Sequence, residues 1–478
     1  MSLVITGATI IDAVESKPIE GRSIWVENGR IKAIERPQDI GAAPGTRVIQ
    51  ARGQYVIPGL MNANVHLLMD IRPEILARHM DHFEDLIVES AQIALKSGLT
   101  TVFDTWGPRK HLVAVRDKIN SGKVPGSRIF CAGNIVGLDG PFSPDFDFFS
   151  KGSGAVSPAF ARKVNATWVE NVGRHLMWLT PDGVGKELRA YVKKGIDFVK
   201  YASNDHVPGA FLAFSLEAQR QIVEAAHGAG ITAQAHTMSV EGLRIAVEAG
   251  CNLIQHANIT GPTPIPEKTL ESMIARKVGA VVFPQTERRL EQLKKSEAHA
   301  PYRGPVEWQV SDQNVHTLIG SGVSILFAND GAIVATDALN DPIIASGWAD
   351  QPEGNLFDLS TGHFYWLRAM EEKGFAPMEM LKAATINVAA AYGLDRDLGS
   401  LKPGKVADML ILDQNPLEKT QNYRGINTII KEGKVVNRES LPLKRILTEP
   451  AKPADDDGSY VTYISSGTYP MCPMCRPR

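Results

Sequence analysis

Six polar residues fall at or near the C-terminal ends of apolar, strand-like runs, where unpaired burial would be costly. Asn64 and His66 end YVIPGLMNANVH, Lys200 falls in DFVKYA, His236 in TAQAHT, His256 in NLIQHA, and Asp330 ends VSILFAND. These residue types suit a divalent metal. Neutral imidazoles bind zinc, cobalt, nickel or iron, and carboxylates complete such a shell. A lysine ammonium has no lone pair to offer. It becomes an oxygen ligand if CO2 carbamylates the neutral amine, a form favoured by burial and by nearby metal charge. An aspartate such as Asp330 can take a proton from water whose pKa a metal lowers to about 7. The chemistry indicated is hydrolysis by activated water. Each residue has an ordinary alternative when taken alone: a structural histidine, a salt-bridged lysine, an aspartate N-cap, an asparagine in a turn. The joint pattern, one such group at the end of each appropriate strand, argues against those alternatives.

The elements that must position these residues read as follows. Eight apolar runs, at 55–66, 100–105, 128–137, 197–202, 232–237, 252–257, 279–285 and 323–330, alternate with amphipathic stretches such as LEAQRQIVEAAHGAG and EGLRIAVEAG. Buried strands alternating with helices imply a parallel sheet, and eight such units predict an α/β fold, a (β/α)8 TIM barrel. In a barrel the C-terminal strand ends face one space. Asn64 and His66, two apart, share a direction. Both ends of the chain instead read as short β-strands. Asn28-Gly29 and Glu432-Gly433 sit between apolar runs as hairpin turns. A small β-sandwich-like domain built from both termini is therefore expected. The predicted boundaries are 1–56 and 397–447 for that domain, 57–396 for the barrel and 448–478 for a tail.

The chain has 478 residues, enough for a barrel plus a small companion domain. Its net charge of -2 gives no bulk attraction to nucleic acid or to an anionic membrane. The N-terminus lacks the marks of a signal peptide and no apolar run is long enough to span a bilayer, so a cytoplasmic location is expected. Of the four cysteines, Cys131 and Cys251 read as core, and Cys472 and Cys475 as an incidental CxxC in a Pro-rich tail. Long connections at 138–185, 286–310 and 331–360 carry Phe142, Phe146, Phe148, Phe149, Trp168, Trp178, Trp308, Trp348 and Phe357. They follow strands. They are expected either to line an aromatic substrate pocket or to pack on the barrel or at a subunit interface. The other histidines, His79, His82, His227 and His299 among them, read as solvated or structural.

With these motifs together the sequence resembles the amidohydrolase superfamily over about residues 3–440. VIPGLMNANVH is similar to its first-strand motif, IDFVKYA to the carbamylated-lysine strand, AQAHT and NLIQHA to the two histidine strands, and FANDGA to the aspartate strand. The resemblance implies Asn64, His66, Lys200, His236, His256 and Asp330 as metal-site residues. It also implies a CO2-derived carbamate on Lys200, Asp330 as proton shuttle, and one or two divalent metals, zinc foremost, with cobalt, manganese or iron as alternatives. The family's His-X-His is Asn-X-His here, which resembles the phenylurea hydrolase and molinate hydrolase group. That implies cleavage of a C–N bond in a small aryl urea, carbamate or amide by a homo-oligomer. Two other readings stay open. One is a prolidase-like dipeptidase or N-acyl-amino-acid hydrolase, with Arg288, Arg289 or Arg303 holding a carboxylate. The other is a non-catalytic binding protein whose site lost a ligand.

Overall fold

A computed structural model describes residues 2–42, 44–68, 73–146, 157–206, 209, 211–297, 306–333 and 354–449. Phe148, Phe149, His299, Arg303, Trp348 and the CxxC cysteines lie outside the described residues.

The first six strands are β1 (Ser2–Thr6), β2 (Thr9–Ile10), β3 (Ser23–Glu27), β4 (Arg30–Glu35), β5 (Arg47–Gln50) and β6 (Tyr55–Pro58). Eight more, separated mostly by helices, are β7 (Leu60–Val65), β8 (Leu99–Asp104), β9 (Arg128–Cys131), β10 (Phe198–Ala202), β11 (Thr232–His236), β12 (Leu253–Gln255), β13 (Gly279–Val282) and β14 (Ile325–Phe327). The last three are β15 (Met409–Leu412), β16 (Ile426–Lys431) and β17 (Lys434–Val435).

Each of the eight expected runs coincides with one strand of the middle set to within a residue at its start or contains it. The first run is divided between two sheets: β6 pairs with β15 and β2, and β7 starts after Gly59. A Cβ at Gly59 would lie 2.2 Å from the Thr100 hydroxyl, so only glycine lets the chain change sheets against β8. The middle strands form parallel sheets, β7-β8-β9 and β10-β11-β12-β13-β14. Single parallel bridges link the sheet edges, Val136 to Tyr201 on one side and Val65 to Gly331 on the other. This α/β arrangement is consistent with the expected barrel. Nearly every residue of these strands is buried, as strands covered on both faces must be.

The intervening helices carry readable start and stop signals. Leu216–Gly228 begins at Ser215, whose hydroxyl accepts from Ala218 N, and it buries Ala218, Ile222, Val223 and Ala226 on one face. Val240–Ala249 is capped by Ser239 and ends at Gly250, which is left-handed at φ 92°.

Both hairpin expectations hold. Asn28-Gly29 joins antiparallel β3 and β4, and Glu432-Gly433 joins β16 and β17, all four turn residues having positive φ. Strands from both chain ends share the sheet β17-β16-β15-β6-β2. A second hydrophobic cluster joins Leu3, Ile5 and Val56 to Met409, Ile411 and Ile430, apart from the main core.

Beyond β17 the chain runs back over the helix Phe83–Lys96. Buried Glu89 accepts from the backbone N–H groups of Ile446, Leu447 and Thr448 and from the Thr448 hydroxyl. Gln92 accepts from Leu443 N at 2.8 Å. This segment therefore packs on the chain's own helix up to Thr448. Glu89→Ala removes the shared acceptor for four donors and is expected to cost about 2–4 kcal/mol. A lower denaturation midpoint at unchanged slope would show it.

Candidate functional site

The six residues singled out in the sequence gather where the parallel strands end. On β7 the alternation holds: Asn62, Asn64 and then His66 face the same interior. Asn62 Nδ2 donates to Asn329 Oδ1 at 2.6 Å, and His66 N donates to Gly331 O at 2.9 Å, which ties β7 to the loop carrying Asp330. His66 Nε2 then donates to Asp330 Oδ1 at 3.0 Å.

His256 and Asp330 are non-glycine residues with left-handed backbone, at φ 42° and 52°. Such conformations are uncommon outside glycine and cluster at functional sites. At His256 the departure breaks strand alternation, so that neighbouring Gln255 and His256 both reach interior partners, Asn64 and His236.

The two strand-end histidines face each other, His236 Nδ1 lying 3.0 Å from His256 Nε2. His256 Nδ1 must carry its proton, because it lies 2.8 Å from the Thr237 carbonyl, which can only accept. His256 Nε2 therefore presents a lone pair to the gap. The facing nitrogens share at most one proton. If His236 holds its proton on Nε2, towards the Asp205 carbonyl, two lone pairs meet there. His66 Nδ1 and His236 Nε2 are buried without a well-formed hydrogen bond.

Burial lowers the pKa of all three histidines, His256 to about 4, so each is neutral at pH 7. Burial lowers Lys200 to about 8 against the opposing pull of Asp330 and Asp104, which brings the neutral amine within reach. For Asp330 burial alone would raise the pKa. The hydrogen bond from His66 and the nearby Lys200 outweigh it and keep the carboxylate ionised. Lys200 Nζ donates to the Thr105 hydroxyl at 3.0 Å. Asn64 uses both ends of its amide: Nδ2 donates to Gln255 Oε1 at 2.9 Å and Oδ1 accepts from the Thr105 hydroxyl. Among the described residues, no three His, Cys, Asp or Glu side chains already stand in a ready-made metal array. The site consists of two donor pairs, His66–Asp330 and His236–His256, with Lys200 beside them.

Sequence reasoning missed several neighbours. His206 stacks on His236 at 5.3 Å and against Phe146 at 4.8 Å, and burial lowers its pKa to about 3. It lies in the loop after β10, outside any strand pattern. Trp106 meets His66 edge-on at 6.0 Å and stacks on Phe146 at 4.2 Å. Phe283 lies 5.5 Å from His256 and 6.0 Å from Phe357. Asp104 is buried and accepts from the backbone N–H groups of Leu67 and Trp106, and burial raises its pKa to about 7.

The aromatic connections thus divide. Phe146 and Phe357 join the site's surroundings. Trp168 is packed in the core against Phe83 and Trp106, Trp308 is buried, and Trp178 is 90% exposed. Arg288 and Arg289 fall on the helix Glu287–Glu297, where Arg289 donates to Gln292.

A family model described as "Amidohydrolase family" matches residues 55–436. A solved structure of molinate hydrolase superposes with a TM-score of 0.87 at 34% identity, covering 95% of this chain and 98% of that one. Phenylurea hydrolase B superposes with a TM-score of 0.87 at 32% identity, covering 95% of this chain and all of that one. Among curated proteins, the ochratoxinase of Aspergillus niger is 24% identical over 400 residues, 80% of this chain and 76% of its own length.

Proposed function

This chain belongs to the amidohydrolase family, and from that membership we propose that it hydrolyses a C–N bond of a small neutral N-aryl urea, carbamate or amide. That it is a hydrolase of C–N bonds follows from its family and neighbours; the aryl substrate is the further step. One observation carries that step: the polar cluster is walled by aromatic rings. Trp106 and Phe146 stand beside His66 and His206, and Phe283 and Phe357 beside His256. The similarity to molinate hydrolase and phenylurea hydrolase B supports the same class. No helix among the described residues is long and apolar enough to cross a membrane.

The architecture reads as a barrel over residues 57–396 joined to a small β-domain made from 1–56 and 397–447. The residues present fit a divalent metal, because neutral imidazoles at His236 and His256, the latter with its Nε2 lone pair facing the gap, stand beside an ionised carboxylate and a deprotonatable amine. His66, Lys200 as its carbamate, His236, His256 and Asp330 would hold it, with Asn64 adjoining. When bound, such a metal polarises a carbonyl and lowers the pKa of water. The rest falls to the chain's own groups. Asp330, held ionised beside His66, receives a proton from the attacking water. As the water oxygen bonds to the carbonyl carbon and the C–N bond breaks, Asp330 returns that proton to the departing nitrogen. The aromatic rings exclude solvent and hold the aryl group by stacking.

Lys200→Ala is expected to lower metal content at least about tenfold, as loss of an oxygen ligand would. A short carboxylate such as propionate should restore part of it, and elemental analysis after dialysis reads both. The activity itself is tested by amine release from matched phenylureas, anilides, thiocarbamates and N-acyl amino acids. Turnover of the neutral aryl compounds supports the proposal. Turnover of the carboxylate-bearing compounds alone would transfer the assignment to the peptidase-like class, and no turnover with metal bound would leave a binding protein.

A further inference from the structure

A directed hydrogen-bond chain crosses the interior beneath the site. It starts from Ala63 O, a backbone carbonyl that can only accept. The Tyr392 hydroxyl gives its one proton to Ala63 O at 2.8 Å, so it accepts from Gln234 Nε2 at 3.0 Å. That turns Gln234 Oε1 towards Gln255 Nε2, which donates to it and also to Ala63 O at 3.3 Å. Gln255 Oε1 must then accept, and it does so from Asn64 Nδ2 at 2.9 Å. Asn64 Oδ1 is left to accept the Thr105 hydroxyl proton. Thr105 Oγ1, its proton spent, accepts from Lys200 Nζ at 3.0 Å. Every amide orientation and every proton along the chain follows from the carbonyl at its far end. All five side chains between Ala63 and Lys200 are buried, so water does not offer competing partners.

We propose that Thr105 is a positioning residue that sets the rotation of the Lys200 nitrogen, and that Asn64 acts through it as the acceptor fixing the Thr105 proton. The inference rests on the reading of Lys200 as a carbamate. When the neutral amine adds CO2, a bond forms between Nζ and the carbon, one N–H proton leaves to a water molecule, and the nitrogen keeps a single N–H. Thr105 Oγ1 is its acceptor. With that N–H spent on Thr105, the plane of the carbamate, and so the direction of its two oxygens, is fixed. A threonine that donated to Lys200 instead would meet a nitrogen without acceptor capacity. The direction imposed through Asn64 prevents this.

The test compares Thr105→Val, nearly isosteric but without the hydroxyl, with Thr105→Ser, which keeps it. Zinc affinity is read by competition with a chelator, and the carbamate by its 13C NMR signal after incubation with 13C-bicarbonate, both without substrate. Thr105→Val is expected to bind zinc about 10–100-fold more weakly and to lose most of the carbamate signal, whereas Thr105→Ser should retain both. Tyr392→Phe, which removes one of the two donors that tie the chain to Ala63 O far from Lys200, should weaken zinc binding in the same direction by a smaller factor. This second variant decides the matter should Thr105→Val fail to fold. Wild-type zinc affinity and carbamate signal in Thr105→Val, or in Tyr392→Phe where the first cannot be purified folded, would overturn the inference alone. Absence of the carbamate signal from the wild-type protein would overturn the reading of Lys200 and the inference with it.

Discussion

Asp330→Asn should abolish turnover by a factor of about 10²–10⁴, the range associated with losing a positioned general acid or base, while the protein stays folded. The substitution is chosen for its backbone. Asp330 sits at φ 52°, where a β-branched or bulky replacement would be strained but asparagine is tolerated nearly as well as aspartate. The amide can still accept from His66 Nε2 through its oxygen, so the contact at 3.0 Å survives in form. What disappears is the negative charge. The amide cannot take up a proton from water at neutral pH, and it no longer offsets the positive character of Lys200 and of any bound cation. The measurement is kcat on whichever aryl compound the wild type turns over, beside a thermal melt and the metal content. Unchanged kcat in a folded, metal-loaded variant would remove Asp330 from the mechanism and favour the non-catalytic reading. A collapse of the melt would show that the His66–Asp330 pair is needed for folding, and the same question would pass to the shorter list of groups that can still move a proton here, His206 first.

Much of this was legible in the chain because the interior strands carry their chemistry at fixed places. Lys200 and His236 lie near the C-terminal ends of neighbouring parallel strands, Lys200 facing Gln234 and Ala202 facing His236 across the ladder, and burial of the flanking residues forced the polar interruptions to mean something. The hairpins were legible for a local reason, since Asn28-Gly29 and Glu432-Gly433 must adopt positive φ. What stayed hidden depended on loop paths or on polarity that looks unremarkable. His206 follows β10 by four residues, and no periodicity places it over His236. Thr105, Gln234 and Gln255 read as ordinary neutral residues; only the carbonyl of Ala63 and the left-handed turn at His256 make them links of one chain through Asn64. The path of residues 443–448 was equally hidden, because it is set by Glu89 and Gln92, polar residues buried on the helix Phe83–Lys96, from the far side of the sequence.

Asn64→His gives the sharpest contrast between the two views of the Asn-X-His motif. From sequence alone asparagine is a weaker ligand in the place of the usual histidine, so restoring histidine would raise metal content towards two per chain. The hydrogen-bond chain leads to the opposite expectation. Asn64 is fully buried, and its amide donates to Gln255 on one side and accepts from Thr105 on the other. An imidazole has one donor and one acceptor, but on a larger rigid ring. Overpacking a closed interior costs about 1–3 kcal/mol, and leaving a buried partner such as Gln255 Oε1 or the Thr105 hydroxyl unsatisfied adds about 1–3 kcal/mol for each. The variant should therefore be less stable by at least about 2 kcal/mol. It should also bind zinc more weakly than the wild type, because Thr105 loses the acceptor that directs its proton away from Lys200. Denaturation midpoint and zinc stoichiometry measured on the same preparation separate the cases. A stable variant with two zinc ions per chain would make Asn64 a degraded ligand and nothing more. Lower stability with lower zinc affinity would mean that the asparagine is built into this site, and that the Asn-X-His pattern marks a different support for the lysine.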